Sequence, residues 1–367
     1  MARRMLLRLG WAVVTCSLVS SALMAMALAT AAETPAGAAP VVSAHDDVTL
    51  TLVTHDSFAI SKSVLRAFTR ETGITVRVLP SGDAGAALNQ VILTKDAPLG
   101  DLLFGVDNTF LSRALDEKLF ERYRSPELAR VPAAFRVDAT HHVTPIDHGD
   151  VCINADNAWF AEHKVAVPRT LDDLTKPAYR GLLVVENPAT SSPGLAFLLA
   201  TVDRYGEDGW RVYWERLRAN DVKVVSGWEQ AYNGEFSAGE GGGERPLVVS
   251  YASSPAAAVY FSDPQPANAP VGTVLDTCFR QIEGVGILRG TEHPRAARRL
   301  VDFMLSRRFQ EDVPLQMFVF PVRDDARLPA VFTRFADIPT DPATVPPSVI
   351  GTHREQWIDE WTDTVLR

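Results

Sequence analysis

Apolar and polar positions alternate from Val48 to Thr54, the period-two pattern of a strand with one buried face. The period then changes. Val64, Leu65 and Phe68 recur at spacings of three and four, which predicts an amphipathic helix with its natural stop at Gly73. "ITVRVLP" (74–80) reads as the next strand, "AGAALNQVIL" (84–93) as a helix, "GDLLFGVD" (100–107) as a strand and "NTFLSRALDEKLF" (108–120) as a helix. The alternation returns further on. "GLLVVENP" (181–188), "DVKVVSG" (221–227) and "PLVVSYASSP" (246–255) predict strands, while "SPGLAFLLATVDRYG" (192–206), "WRVYWERLRAN" (210–220) and "WEQAYNGEFSAG" (228–239) predict helices. "GEGGGE" (239–244) reads as a flexible surface turn. Strands alternating with helices imply parallel, doubly wound sheets, and here they form two α/β units.

Two further β-rich stretches, "VTPIDHGDVCIN" (143–154) and "DTCFRQIEGVGIL" (276–288), can join these units. Each carries one cysteine. As neighbouring strands of one hinge they would bring Cys152 and Cys278 to disulfide distance; the other reading is two buried free thiols. After the second crossing, residues 293–313 show a strong amphipathic helical pattern. The tail "REQWIDEWTDTVL" (354–366) puts Trp357 and Trp361 on one helical face, as core anchors.

The N-terminus changes the picture by fixing a compartment. Arg3, Arg4 and Arg8 precede an apolar run from Trp11 to Leu28, and an Ala-x-Ala cleavage site falls near Ala29 to Ala32. That is the layout of a secretory signal peptide over residues 1–32, with a retained membrane anchor as the competing reading. Cys16 stands in a poor match to a lipoprotein box. Cleavage removes three arginines and no acid, so the formal charge falls from −9 to −12. Such a chain repels nucleic acid and anionic membranes and suits a cationic or zwitterionic ligand. No second long apolar segment follows, and the remaining length suits two domains. Two cysteines remain in an oxidising compartment, which favours a bridge.

In doubly wound sheets, ligands bind beyond the carboxyl ends of the strands. That rule selects Asp56 and Ser57 with His55 and Phe58, Asp107 with Asn108, Thr190 to Gly194, Trp228, and Tyr251 with Ser253 and Ser254. In "TSSPG" the hydroxyls of Thr190, Ser191 and Ser192 precede a helix start at Pro193 and Gly194. Free N–H groups and the helix dipole there form an anion site; a simple N-cap is the alternative. Asp56 and Asp107 offer acceptors instead. Trp228, Tyr251, Tyr232 and Phe318 offer aromatic faces, each attracting a desolvated cation by about 0.5–2 kcal/mol. An aromatic cation with a hydrogen-bonding head and a polar or phosphorylated tail satisfies the whole set. His141, His142 and His148 lack ordered partners at metal-ligand spacing and read as loop residues, so no metal is expected.

Taken in order, "THDSF" (54–58), "GVDN" (105–108), "DHGDVCIN" (147–154), "NPATSSPGLAFLL" (187–199), "SGWEQAY" (226–232), "SYASSPA" (250–256) and "FVFPV" (318–322) resemble the substrate-binding proteins of bacterial thiamine ABC transporters. The resemblance covers nearly the whole chain after residue 32. It implies a type II periplasmic-binding-protein fold: lobe 1 from residues 45–148 plus 285–367, lobe 2 from 149–284, and hinge strands near 146–154 and 276–288. It implies thiamine, thiamine monophosphate or thiamine diphosphate as ligand, with no cofactor and no catalytic residue. Trp228 and Tyr251 would lie against the ligand, Asp56 would line the cleft, and Thr190, Ser191, Ser192 and Gly194 would hold its hydroxyl or phosphate end. The implied partner is the permease of an ABC importer in the cytoplasmic membrane, met by a monomer in the periplasm or at the cell surface.

There are departures from the family pattern. His55 stands where tyrosine is frequent, Phe318 and Phe320 stand where tryptophan and tyrosine are common, and the pair Cys152 and Cys278 is not general. Among rival functions, a ferric-ion binder would want a Tyr-Tyr pair as hard oxygen ligands, and none occurs. A polyamine binder ranks second but leaves the "TSSPG" hydroxyls without a role. A thiaminase-like enzyme would use Cys152 as nucleophile, which a bond to Cys278 would eliminate.

Overall fold

A computed structural model describes residues 48–367; the expected signal peptide lies outside the described residues. Strands β1 (Thr49–Thr54), β2 (Thr75–Pro80) and β3 (Leu102–Asp107) pair in parallel around β1, with helices α1 (Lys62–Thr72), α2 (Ala84–Leu93) and α3 (Leu111–Asp116) following them. All six residues of β3 are buried, as expected of an apolar strand covered on both faces. α1 stops at Gly73, whose φ of 74° is the left-handed cap conformation that glycine adopts without a Cβ penalty.

β4 (Val143–Asp156) then leads through α4 (Asn157–His163) to a second parallel set. This consists of β5 (Leu183–Glu186), β6 (Lys223–Val225) and β7 (Leu247–Tyr251), with α5 (Ser192–Ala219) and α6 (Ser254–Phe261) beside them. β8 (Val271–Ile287) runs antiparallel to β4 from Val143–Gly286 to Asp156–Val271, and pairs with β3 as β4 pairs with β7. One continuous sheet therefore links two α/β lobes in the order β2-β1-β3-β8-β4-β7-β5-β6, with β9 (Phe320–Pro321) added on β4.

Cys152 and Cys278 form a disulfide between β4 and β8. Between the pairs Val151–Phe279 and Ile153–Val274, β8 carries residues 275–278 where β4 carries Cys152 alone. The bridge staples this bulge. Thr277 Oγ1 supports it, donating to the Val274 carbonyl at 2.7 Å and accepting from Ile153 N–H at 2.9 Å.

Several predicted elements change under tertiary contacts. The helices at 192–206 and 210–220 are one helix, α5, interrupted at Gly206, where φ is 67°. Both halves bury side chains in the same core, from Leu195 to Trp214, so the kink keeps one apolar face in register. The helix at 108–120 shrinks to α3. Asn108 spends its side chain on Ile282 N–H and Arg280 C=O, while Asp107 accepts from the N–H groups of Thr109 and Phe110. The helix at 228–239 is a π-helical turn, Glu229–Glu235. The strand at 246–255 ends at Tyr251, and Pro255 opens α6 instead.

The pattern at 293–313 divides into α7 (Pro294–Met304), α8 (Arg307–Gln310) and α9 (Val313–Gln316), because Ser306 caps a new start by accepting from Phe309 N–H. α10 (Ala330–Phe335) and α11 (Pro347–Val365) complete the chain. Trp357 and Trp361 on α11 are buried, the latter edge-on to Trp214 of α5 at 5.4 Å. His148 is no loop residue: it lies in β4 between the rings of Phe135 and Phe320, at 4.2 and 5.5 Å. Burial, and then Arg280, push its pKa down to about 3, so the ring is neutral. Among the described residues, no helix is long and apolar enough to cross a membrane.

Candidate ligand cleft

A cavity of about 480 Å3 opens beyond the carboxyl ends of β1, β6 and β7, where it meets the start of α5. Its size falls within the roughly 300–1,000 Å3 usual for small-molecule sites. The local chain order builds its first wall. Trp228 and Tyr232 stand at the entry and first turn of the π-helical segment and stack at 5.1 Å with planes 13° apart. Trp228 Nε1 donates to Ser250 Oγ at 2.9 Å, and the Tyr251 hydroxyl donates to Gln281 Oε1 at 2.8 Å. Burial raises both phenols, Tyr232 to about 12, so they remain neutral donors. Phe318 stands elsewhere on the wall, in a left-handed backbone conformation with φ 55°.

The polar lining is acidic. Asp83, Glu229, Glu240 and Glu283 line the cavity with His55, and no lysine or arginine does. His55 Nε2 lies 3.3 Å from Glu283 Oε1. Burial pulls the His55 pKa down, but the charge and hydrogen bond of Glu283, helped by Asp83 and Asp56, outweigh it and leave it raised. Below the rim, Asp147 sits opposite Glu283 across β4 and β8. Burial first, then the Glu283 charge, raise the Asp147 carboxyl well above its ordinary range. The site is therefore built for positive charge beside aromatic faces.

Of the residues singled out from the sequence, His55, Ser57, Ser192, Pro193, Trp228, Tyr232, Tyr251, Ser254 and Phe318 line this cavity. Asp56, Asp107, Thr190, Ser191, Gly194 and Ser253 do not. Asp56 is exposed beside it. Asp107 is buried and saturated by donors from Thr109, Phe110, Ser192 Oγ and Gln281 Nε2. Ser253 Oγ donates to the Phe318 carbonyl at 2.5 Å.

The hydroxyl run before α5 needs a correction. Thr190 Oγ1 donates to Ser226 C=O at 2.6 Å, Ser191 Oγ caps the helix by accepting from Gly194 N–H, and Ser192 Oγ bonds Asp107 Oδ2 at 2.6 Å. Gly194 answers to packing, since a Cβ there would meet the Glu186 carbonyl at 2.6 Å. The anion seat exists, but Asp83 of α2's N-cap occupies it. Its Oδ2 accepts from Trp228 N–H at 2.9 Å, and its Oδ1 lies 3.4 Å from Ser192 N–H. Burial raises the Asp83 pKa, against those donors.

Behind this seat Glu186 is buried with both carboxyl oxygens unpartnered. Burial, then the charge of Asp83, raise its pKa well above the ordinary 4.5. The folded protein thus holds this proton where the unfolded chain has lost it. The resulting stability is complete below the unfolded value and is lost as pH rises through the folded one. Glu186→Gln should therefore lose less melting temperature than wild type between about pH 5 and about pH 8. Parallel curves in thermal melts across that range would assign the pH dependence to the other raised carboxyls.

Three residues that shape the cavity, Asp83, Glu283 and Phe261, are not marked by the sequence pattern. Asp83 stands three residues beyond the end of β2, within reach of the strand-end rule, but reads first as the N-cap of α2. Glu283 lies within a long strand, and Phe261 closes α6, a helix that the sequence pattern did not predict. No local signal marks either one.

Comparison with known proteins adds to this geometry. Residues 97–334 match the family described as bacterial extracellular solute-binding protein. The chain is 28% identical over 323 residues to a thiamine-binding periplasmic protein of Salmonella typhimurium, covering 87% of this chain and 94% of that one. It is 29% identical over 341 residues to the protein of the same name from Brucella suis, covering 90% and 96%. Among solved structures, a periplasmic thiamin binding protein superposes with a TM-score of 0.77 at 26% identity, covering 88% of this chain and 98% of the other. An iron-bound protein from Pseudomonas aeruginosa shares the fold, with a TM-score of 0.69 at 20% identity and coverage of 86% and 99%.

Proposed function

The chain belongs to the bacterial extracellular solute-binding protein family, and from that membership we propose that it captures thiamine or its phosphates for an ABC importer. Its fold is the type II periplasmic-binding-protein fold, with the cleft between two α/β lobes. The observation that carries the ligand is the cavity lining: stacked Trp228 and Tyr232, Tyr251 and Phe318 together with four carboxylates and no lysine or arginine. Thiamine joins an aminopyrimidine to a permanently cationic thiazolium ring. Flat rings gain area and cation–π attraction from the walls, while the carboxylates balance the charge. The relatives named as thiamine-binding periplasmic proteins support the same ligand and an extracytoplasmic location.

The protein acts as a carrier and not as an enzyme. The disulfide leaves Cys152 without the thiol that a covalent mechanism would need. It works as a monomer whose closed lobes present the ligand to a membrane permease.

Titration calorimetry tests this reading. Thiamine or one of its phosphates should bind with one-to-one stoichiometry. Silence with all three, alongside clear heat from spermidine or putrescine, would move the assignment to polyamines.

A further inference from the structure

We propose that Phe261 contacts the ligand and, with Phe318, forms a second aromatic wall at the mouth of the cleft. The inference rests on the thiamine reading above and adds a residue to it. Phe261 ends α6 and lines the cavity, yet 69% of it is exposed. Its ring centroid lies 5.1 Å from that of Phe318 and 5.2 Å from that of Tyr260.

Phe318 holds a positive φ of 55°, uncommon for a bulky residue and a mark of backbone strain. The group that holds its carbonyl is Ser253, the residue before α6. One helix start therefore anchors the strained phenylalanine, and the same helix end supplies its partner. The two rings are positioned as a unit. Ala257 and Ala258, one turn earlier on α6, line the same cavity with methyl groups only. The Trp228–Tyr232 wall stands on a different element. A two-ring ligand can set one ring against each wall, removing the Phe261 ring from water as it seats.

The test is calorimetry with thiamine on wild type, Phe261→Ala and Phe261→Tyr, together with the melting temperature of each protein without ligand. Phe261→Ala should weaken thiamine binding about tenfold. Its unliganded melting temperature should stay at the wild-type value, because so exposed a ring contributes little to the core. Phe261→Tyr should restore binding. Unchanged affinity in Phe261→Ala overturns the proposal, and so does a loss of affinity accompanied by a lower unliganded melting temperature, which marks a structural role. Wild type that fails to bind thiamine refutes the ligand assignment itself, a result visible before any variant is made.

Discussion

Replacing Cys152 and Cys278 together with alanine lowers the apparent melting temperature by on the order of 10 °C. The bridge closes a long loop, its ends 126 positions apart in sequence. In the chain-entropy account, such a closure removes about 5 kcal/mol of freedom from the unfolded chain. Alanine is the appropriate replacement because both sulfurs are buried, against Ala252, and a serine hydroxyl would add its own desolvation cost. The folded state loses support as well. Residues 275–278 bulge out opposite Cys152, and Thr277 alone would then tie the bulge to β4. Thermal unfolding of the double variant, and of wild type with and without reductant, gives the answer. A shift of less than about 2 °C in both would mean that β4–β8 pairing suffices without the bridge.

Trp228→Ala should weaken thiamine binding by on the order of 1–3 kcal/mol, or about fivefold to 150-fold. The substitution removes half of the stacked wall but leaves the Trp228 backbone N–H that Asp83 needs. Ser250, which loses the indole donor, keeps Ser254 Oγ as a partner at 3.0 Å. The variant should therefore fold with its cleft intact. Trp357→Ala is the control. That ring is buried in the core between α11 and its neighbours, so its loss should cost about 3–5 kcal/mol of stability while the folded fraction binds normally. Equal losses of affinity in the two variants, measured on folded protein, would place the site elsewhere.

The contrast between these tryptophans shows how far local pattern reaches. Trp357 and Trp361 recur at helical spacing, and a helix in water must bury such a stripe, so their core role follows from periodicity alone. Trp228 follows a glycine at a strand's carboxyl end, and the geometry of doubly wound sheets makes that end a ligand site. The alternation of strand and helix, the stop at Gly73 and the two crossing stretches that carry Cys152 and Cys278 were legible for the same reason: each depends on neighbours a few residues away. The role of a polar side chain does not. Ser192 reads as a free donor until Asp107, 85 positions earlier, takes its hydroxyl. Asp83 caps one helix and fills the N-terminus of another, 109 positions on. His55 meets Glu283, and Phe261 meets Phe318, only because β8 and the segment after α9 return across the cleft. Hydrophobic periodicity is a property of a segment and survives in the sequence. Hydrogen-bond and charge partnership is a property of the packed chain, and only folding decides which donors stay free for a ligand.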